Sequence, residues 1–587
     1  MTWIHPLSAE VEESAAVLGG KAHGLVALRR LGLPVPPGFV ISTEACRAFL
    51  RSGRFPDGLG TELAAAVARL EADTHRGLGG PRRPLAVAVR SGGEVSMPGM
   101  MSTVLNLGLT TEATAALAEE TGDPRFALDA RLRFLTGFAT VVGVSREALA
   151  GMDAGRDETD RGTALARLTE AVRQVERLIL HRTGEPVPED AAHQLDLAIA
   201  AVFASWDTPR ARTYRHLHGI PGDLGTAVTV QAMVYGHRDG HSGTGVAFSH
   251  DPTTGEHVPY GEVLFGRQGE DVVAGTSLTA PLTALAEREP AVWERLTDAL
   301  RRLEEHGRDA CQVEFTFEAG ELWLLQVRAG RLVGRAAVRV AVELADAGTI
   351  GRDEALLRVS PAHLRQARTP RPATTGTGDL LTRGLAASPG VAVGRVATTA
   401  DDAVRLAARG PVVLVRPETS PLDLHGLAAA AGIVTARGGP TSHAAVVARA
   451  LGKPAVVGAA DLTVDPVAAC VRAGGRTLPQ GTLITIDGTS GQVVVGAVEV
   501  VTDPADPHVE RLLDWADAIT GADAAPLAGS GSGAGADSHR AGSHRHDGPH
   551  DDRPHDEAAR LTSAQAVLRR RPPADPRAGR PGPHRLS

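Results

Sequence analysis

Apolar residues recur along this chain at two spacings, and the change between them predicts where helices and strands lie. Across residues 110–204, Ala and Leu recur at helical spacing among Glu and Arg, which indicates a mostly helical segment. A further helix is expected over residues 442–450. Short apolar runs elsewhere predict buried strands, at residues 85–89, 227–234, 245–249, 312–317, 322–327, 412–415, 432–436 and 483–487.

Two stretches without periodic apolar residues divide the chain. The linker predicted at residues 367–379 begins ARTPRPATTGTG, a Pro, Thr and Gly mixture. Residues 521–587 pass from a Gly/Ser run into His, Arg, Asp and Pro. A segment of this composition buries too little apolar surface to offset the entropy lost on ordering, so we expect a disordered tail. A short helix is expected within it near residues 557–569.

Length, charge and cysteine usage narrow the class of protein. A chain of 587 residues suggests three or four packing units. A formal net charge of -8 is too small to indicate a nucleic-acid or membrane-surface partner. No apolar run approaches the roughly 20 residues that span a bilayer, and the N-terminus lacks the apolar core of a signal peptide. Three scattered cysteines fit a reducing compartment, and we therefore expect a cytoplasmic protein.

The segment GGPTSHAAVVARAL at residues 438–451 is the richest in candidate functional residues. Its glycines release the backbone from a strand, Thr441 or Ser442 can cap the following helix, and His443 falls in the first turn. A helix start offers free N–H groups and partial positive charge, which suit a phosphoryl group. A neutral imidazole is a competent nucleophile near pH 7. An isolated Ser-His pair is more often an ordinary helix start, but the length of this string favours a phosphoryl-accepting histidine.

Three glycine-rich strings before residue 330 suit phosphate binding. Gly19 and Gly20 precede Lys21 at a helix start, and Arg90 ends a strand that SGGEVSMPGMM follows. The third string, DGHSGTGVAFSHD at residues 239–251, contains Thr244. Glycines let backbone N–H groups close on a phosphate, and an arginine supplies a bidentate cation. Each string alone is as typical of a solvated surface loop.

Together the strings resemble the pyruvate phosphate dikinase family, and more loosely phosphoenolpyruvate synthase and antibiotic phosphotransferases. LGLPVPPGF at residues 31–39, ETSP at 418–421 and DGTSG at 487–491 extend the likeness from Gly19 to about Thr520. The resemblance implies an α/β multidomain protein. Its expected parts are an ATP-grasp nucleotide-binding domain at residues 1–366 with a helical insertion at about 110–204, the linker at 367–379, a swivelling β/β/α phosphohistidine domain at 380–520, and the tail at 521–587. The family's C-terminal pyruvate-binding barrel is expected to be missing, because the tail shows no strand–helix alternation.

The resemblance also implies a role for individual residues. His443 is the expected catalytic residue, and Glu314 and Gln312 are the expected metal ligands. The residues expected to bind ATP are Lys21, Arg90, Ser96, Gly99, Thr244, Gly245, Gln326 and Arg328. Thr441 matches a threonine that regulatory kinases modify in some members, although a helix cap is its expected role here.

Gln312 departs from the family, which has an aspartate that helps to hold Mg²⁺ at this position. A glutamine carbonyl can coordinate but lacks the charge that hard cations favour, so metal binding is expected to depend more on Glu314. Strand alternation puts Glu314 and Gln312 on one face. A three-residue turn at residues 318–320 would set Gln312 opposite Gln326 and bring Arg328 to the same face, whereas a two-residue turn would reverse the faces.

The implied function is an ATP-dependent phosphotransfer. His443 takes the β-phosphoryl group of Mg-ATP, with AMP and pyrophosphate as products, for onward transfer to pyruvate or another acceptor on a separate domain or protein. Expected partners are ATP, Mg²⁺, phosphate and a separate pyruvate-binding barrel protein, and a homodimer is left open. Two alternatives remain: a phosphotransferase that acts on a different small molecule, and a truncated, non-catalytic ATP-binding module.

Overall fold

A computed structural model describes most of the chain. The described residues are 2–95, 97, 100–149, 161–217, 219–269, 271, 279–330, 332–367, 370–372, 379–502, 506–524 and 553–570. Among the candidate site residues, Ser96 and Gly99 lie outside this set. None of the described helices is long and apolar enough to cross a bilayer.

Two antiparallel five-stranded sheets form the part of the chain before residue 330. Their orders are β1-β2-β7-β5-β6 and β10-β9-β8-β11-β12. The strands are β1 (Ile4–Pro6), β2 (Gly38–Ile41), β3 (Gly77–Leu78), β4 (Pro84–Leu85), β5 (Val87–Gly92), β6 (Thr103–Leu107), β7 (Ala227–Ala232), β8 (Gly243–Phe248), β9 (Tyr260–Phe265), β10 (Ala280–Pro281), β11 (Cys311–Glu318) and β12 (Glu321–Ala329). Strands β3 and β4 pair with each other and belong to neither five-stranded sheet. The described helices are α1 (Ala15–Arg30), α2 (Thr43–Ser52), α3 (Leu59–Thr74), α4 (Thr111–Thr121), α5 (Pro124–Val141), α6 (Arg146–Leu149), α7 (Arg161–Thr183), α8 (Ala191–Ser205), α9 (Pro209–Leu217), α10 (Ala284–Arg288) and α11 (Pro290–Gly307).

Helix α1 lies between the two sheets and joins them through one apolar core. Leu18 and Leu25 of α1 pack in the same cluster as Val40 of the first sheet and Phe315 of the second. On β11, the apolar residues Val313, Phe315 and Phe317 are fully buried in this core, as strand alternation predicts. The opposite face of β11 is therefore left to Gln312, Glu314 and Thr316.

The predicted helical segment at residues 110–204 is confirmed by α4, α5, α6, α7 and α8. Helices α5, α7 and α8 cover the other face of the first sheet, where they bury Phe134, Phe138 and Phe203 against Val89 of β5. This layer fixes the strand that carries Arg90.

A mixed eight-stranded sheet, ordered β14-β24-β23-β16-β17-β18-β19-β15, forms the body of the second half, and a small sheet β20-β21-β22 lies beside it. Strands β16 to β19 run parallel to one another, and the outer pairs are antiparallel. The elements after residue 330 are α12 (Gly334–Asp346), α13 (Arg352–Arg358), α14 (Pro361–Ala367), β13 (Pro370–Pro372), β14 (Asp379–Arg383), β15 (Leu385–Ser388), β16 (Val391–Ala397), α15 (Ala400–Ala407), β17 (Val412–Arg416), a 3₁₀ turn (Pro421–Asp423), α16 (Leu424–Ala429), β18 (Gly432–Thr435), α17 (His443–Leu451), β19 (Ala455–Val457), β20 (Thr463–Asp465), β21 (Cys470–Ala473), β22 (Arg476–Pro479), β23 (Leu483–Asp487), β24 (Gln492–Val495), β25 (Val500–Thr502), α18 (Pro507–Ala524) and α19 (Arg553–Arg570).

The chain enters and leaves this sheet through two paired strands. Strand β13, which falls within the predicted linker, pairs antiparallel with β25. Most of the rest of that linker, residues 368–369 and 373–378, lies outside the described residues. Helix α18, which the sequence analysis grouped with the second domain, packs instead in an apolar cluster with α12 and α13, through Leu512 and Ala516.

The helix predicted near residues 557–569 is present as α19, and it is packed against other helices. Leu561 and Ala564 are fully buried in the cluster that α12, α13, α14 and α18 form. Gln565 Nε2 donates to the carbonyl oxygens of Leu356 at 2.6 Å and Val359 at 2.7 Å, at the end of α13. The remainder of the predicted tail, residues 525–552 and 571–587, lies outside the described residues.

We predict that Leu561→Ala releases α19 from the helical cluster. Removing a fully buried leucine costs about 2–5 kcal/mol, more than a single peripheral helix tolerates. Limited proteolysis should cleave the variant faster within residues 553–570. Ser563→Ala changes an exposed neighbour on the same helix and is the matched control. Equal cleavage of the Leu561 variant and the parent would contradict the packing described.

Candidate functional site

Gly19 interrupts α1 and sets Lys21 at the start of the remaining helix. Its φ of +73° breaks the helical backbone, and a Cβ there would lie 1.7 Å from the carbonyl oxygen of Gly92. The N–H of Gly20 donates to the carbonyl of Gly93 at 3.0 Å. Lys21 therefore lies in a helical first turn, whose backbone N–H groups have no intrahelical partner and favour an anion.

Lys21 shares its surroundings with three other predicted site residues. Desolvation lowers the pKa of Lys21 to about 7, the cations of Arg90 and Arg328 lower it as well, and Glu314 acts in the opposite direction. Three cations therefore surround one carboxylate. The excess positive charge makes this region suited to a polyanionic ligand.

Arg90 reaches from β5 towards the second sheet. Its Nη2 donates to Gln231 Oε1 on the neighbouring β7 and lies 3.5 Å from the carbonyl oxygen of Leu325 on β12. Desolvation lowers the pKa of Arg90, while Glu314 opposes that shift. Among the described residues, the buried Nε donors of Arg90 and Arg328 have no acceptor.

The β11–β12 hairpin corrects the predicted register. Its turn has two residues, Ala319 and Gly320, both with positive φ, and not the three that the sequence analysis required. An irregularity after Glu314 leaves Leu325 without a partner, so that Gln312 lies opposite Arg328 and Glu314 opposite Gln326. Leu325 is thus an extra residue on β12 that shifts the pairing by one position. The shift places Gln326 and Arg328 on the same face as Glu314 and Gln312. The shared face was predicted correctly, and the turn and the pairing were wrong.

Glu314 and Gln312 present oxygen donors on this polar face. Glu314 Oε1 lies 3.3 Å from Arg328 Nη2, and both side chains are about one-third exposed. Carboxylate and amide oxygens are suitable ligands for Mg²⁺. The pair fits the metal expected with ATP, although Glu314 must share its charge with Arg328.

Thr244 lies on a strand and not in the glycine loop that its sequence suggested. It faces Thr316 across the β8–β11 pair, with 3.1 Å between the hydroxyl oxygens, and donates to the carbonyl of Phe315 at 3.0 Å. Gly245 faces the apolar side, where a Cβ would lie 2.6 Å from Phe315 Cζ. Packing therefore explains why position 245 is a glycine. The assignment of Gly245 to ATP binding finds no support in this geometry.

One row of residues crosses the second sheet and links two ends of the site. Glu262 on β9 pairs with Val246 on β8, Val246 pairs with Glu314 on β11, and Glu314 pairs with Gln326 on β12. Directly paired residues point to the same face of a sheet. Glu262 and Glu314 are two strand spacings apart, about 10 Å.

The histidine loop is docked on Glu262. Thr441 donates to Glu262 Oε2 from its hydroxyl group and, at 3.3 Å, from its backbone N–H. A Cβ on Gly439 would lie 1.6 Å from Glu262 Oε1, so the loop requires glycine there. Burial raises the pKa of Glu262, and the bonds from Thr441 partly oppose the rise. Thr441 therefore binds the first part of the chain instead of capping its own helix, which corrects the sequence expectation.

His443 is the first residue of α17, in agreement with the prediction. The helix begins after Ser442, whose side chain makes no capping bond. His443 Nδ1 lies 3.1 Å from Thr419 Oγ1. Burial lowers the pKa of His443, Asp423 opposes the shift, and Arg210 of α9 adds to it. The ring is thus neutral at pH 7, and a bond between Nδ1 and Thr419 leaves Nε2 for other chemistry.

Sequence reasoning missed four residues of this arrangement. Gln231 orients Arg90, Thr419 contacts His443, Glu262 holds the loop and Arg210 lies near the imidazole. Thr419 was quoted within a recognised string but given no role. The other three carry no local sequence signal, because their partners are 141 or more residues away along the chain.

Known proteins resemble this chain over most of its length. Residues 50–282 match the family "Pyruvate phosphate dikinase, AMP/ATP-binding domain", and residues 408–491 match "PEP-utilising enzyme, mobile domain". The chain is 42% identical over 540 residues to a pyruvate, phosphate dikinase of Rhizobium meliloti, which covers 88% of this chain and 60% of that protein. It is 42% identical to pyruvate, phosphate dikinase 2 of Zea mays (86% of this chain, 58% of that protein) and 40% identical to the enzyme of Clostridium symbiosum (88% and 60%).

The chain belongs to the pyruvate phosphate dikinase family. Of the residues discussed, the AMP/ATP-binding match includes Arg90, Thr244 and Glu262, and the mobile-domain match includes His443. The predicted class, a mixed α/β protein with a nucleotide-binding and a mobile domain, is therefore confirmed. The chain spans about three-fifths of the length of the curated dikinases it matches.

We predict that ATP binding at pH 8 takes up nearly one proton. With a pKa of about 7, Lys21 is mostly neutral at pH 8 before binding. Phosphate charges stabilise its ammonium form and raise that pKa, so ATP affinity falls as pH rises above 7. Calorimetry in buffers of different ionisation enthalpy measures the uptake.

Lys21→Arg is the matched control, because an arginine stays protonated throughout and should bind ATP with little proton uptake. A binding enthalpy of the parent that does not depend on the buffer would contradict the assignment of Lys21 to the phosphates.

Proposed function

We propose that this chain transfers the β-phosphoryl group of ATP to His443 for delivery to a second acceptor. His443 attacks the β-phosphorus, and the bond to the α-phosphate oxygen breaks as AMP departs. Inorganic phosphate then takes the γ-group as pyrophosphate, which leaves the β-phosphoryl on the imidazole. Pyruvate is the acceptor that the family names indicate; another small molecule is the alternative.

The docked histidine loop carries the proposal. Thr441, two residues before His443, is held at Glu262, in the row that ends at Glu314 and Gln326. A nucleotide whose phosphates lie among Lys21, Arg90 and Arg328 would be within reach of the imidazole on that sheet face. Phosphoryl transfer depends chiefly on such positioning and on neutralisation of charge.

The cations of the site neutralise the negative charge of the phosphates. Arg90 and Arg328 offer unpaired buried donors, and Lys21 gains its proton when phosphate binds. Glu314 and Gln312 would hold Mg²⁺, which would supply positive charge to neutralise the phosphates. The residues themselves orient the phosphates and exclude water from one side.

His443 meets the requirements of the nucleophile. Its lowered pKa keeps the ring neutral, so that no proton has to be removed from Nε2 before attack. If Thr419 accepts from Nδ1–H, the lone pair is confined to Nε2. The tautomer is then fixed by a neighbour on the same domain and survives movement of the domain.

We further propose that residues 379–499 swing as a unit on the β13–β25 pair. The chain enters this unit after β13 and leaves it at β25, so the pair forms a single two-stranded connection to the rest of the protein. After β25, α18 packs back onto α12 and α13. The movement would carry phosphorylated His443 from the sheet of Glu262 to an acceptor elsewhere. A hinge of two short strands can absorb such a rotation, because the change in backbone angles is confined to a few residues.

The proposal predicts that ATP labelled at the β-position leaves acid-labile label on His443. His443→Ala should carry none. Glu262→Ala should bind ATP as the parent does but acquire label at least tenfold more slowly, because the loop loses its docking partner. Rapid quenching and counting of protein-bound label measure both.

Glu321→Gln, at the exposed β11–β12 turn of the same sheet, is the control for Glu262 and should label normally. Absence of label on the parent in the presence of ATP and Mg²⁺ would favour the alternative of a non-catalytic ATP-binding module. Label on the parent whose discharge by a small molecule exceeds that by pyruvate would favour the different acceptor.

Gln312→Asp should lower the Mg²⁺ concentration needed for half-maximal labelling by about tenfold, equivalent to ~1.4 kcal/mol. The physical reason is the added carboxylate, since Mg²⁺ prefers charged oxygen ligands. Glu314→Gln should shift the same titration in the opposite direction. Overlapping Mg²⁺ titrations of the Gln312 variant and the parent would show that neither residue at this position contacts the metal.

A further inference from the structure

A second group of side chains with the spacing of metal ligands lies away from the phosphate site. Among the residues that the structure describes, His250, His257 and Glu304 each place one ligand atom within 4.8 Å of the others. His250 and His257 belong to the loop between β8 and β9, and Glu304 belongs to α11. The two imidazole rings are stacked, 4.4 Å apart and 8° from parallel.

The distances fit a single small cation. Glu304 Oε2 lies 3.1 Å from His257 Nε2 and 3.7 Å from His250 Nδ1. Ligand atoms around a tetrahedral Zn²⁺, with bonds of about 2.0–2.1 Å, are about 3.3 Å apart, between these two values. Although His257 Nε2 is close, Glu304 Oε2 is a buried atom that accepts no hydrogen bond of normal geometry. A cation would satisfy this oxygen. Because the in-plane lone pairs of two stacked rings do not converge, the exposed His257 ring would turn as the cation binds.

The surroundings hold the group in place. Ser249 Oγ accepts the N–H of Cys311 on β11 and lies 3.0 Å from His250 Nδ1, the nitrogen that faces Glu304, so a cation bound there would replace this contact. His257 is 65% exposed, which leaves the cation open to water on one side.

The loop itself is rigid enough to present a fixed ligand pair. Asp251 Oδ1 accepts the N–H groups of Thr253 at 2.7 Å and Thr254 at 3.2 Å. Gly255, with φ +77°, packs against α12, where a Cβ would lie 3.0 Å from the Cα of Ala336. The two histidines therefore approach Glu304 on a loop that is already folded.

We propose that His250, His257 and Glu304 form a site for a first-row divalent cation such as Zn²⁺, with water completing the coordination. Two imidazoles and one carboxylate are a donor set that Zn²⁺ and Co²⁺ accept and that Mg²⁺ does not favour. The site is distinct from Gln312 and Glu314, which offer oxygen donors alone. The bound cation attaches the β8–β9 loop to α11. This loop connects the strand of Thr244 to the strand of Glu262.

The test titrates the full chain, stripped of metal by a chelator, with Co²⁺, whose visible absorption reports nitrogen coordination. One equivalent should bind with a visible spectrum and be displaced by Zn²⁺. His257→Asn, at an exposed position, and Glu304→Gln should each weaken this binding by at least the roughly 10–100-fold that the loss of an outer-shell partner costs. Circular dichroism verifies that both variants are folded.

The histidines of the C-terminal segment require their own control, since they also bind transition metals. A variant with Asn at His539, His544, His546, His550 and His555 should keep the equivalent that His257→Asn loses. The proposal is overturned if the five-fold variant loses that equivalent, or if the His257 and Glu304 variants bind Co²⁺ as the parent does. An ordinary ion pair between His257 and Glu304 gives the second of these results.

Discussion

The register of one antiparallel sheet sets the distance on which the proposed chemistry depends. Glu262, Val246, Glu314 and Gln326 form a single row across β9, β8, β11 and β12. Because strands are spaced by about 4.8 Å, the docking carboxylate and the metal-binding carboxylate are held at a fixed separation. A shift of one residue in any pair would turn one of them to the apolar core. The unpaired Leu325 is therefore a functional feature, since it restores the polar face after a two-residue turn.

The same sheet explains why cations can be concentrated beside it. Lys21 and Arg90 belong to elements that the apolar core fixes, α1 and β5, and the core residues on β11 pack beneath them. Unpaired charges in such a setting are costly, and an anion that pairs with them recovers that cost on binding. Glu314 alone does not balance three cations. The site is thus organised in advance for polyphosphate, with little reorganisation needed when the ligand arrives.

Most of the helices and strands could be predicted from sequence, because apolar spacing and local motifs indicate them, and the proposed site residues come from the same motifs. The strand 483–487, the helix of His443 and the helical segment at 110–204 followed from apolar spacing. Long-range geometry could not be predicted in this way. The bulge at Leu325 breaks the alternation on β12, where Leu322, Leu324 and Val327 all pack against the core, so strict alternation predicted the wrong turn length. The bond from Thr441 to Glu262 joins residues 179 apart, and a local capping rule therefore assigned Thr441 to the wrong partner.

Docking by one carboxylate suits the domain movement proposed above. Glu262 holds Thr441 through hydrogen bonds to a buried charge, which are strong while water is excluded and are replaced by water when the surfaces part. An apolar interface of comparable strength would need a larger area and would release more slowly. The paired strands β13 and β25 confine the movement to one connection. In the proposed cycle, this polar contact and the narrow hinge would let His443 be held near the nucleotide and then be released.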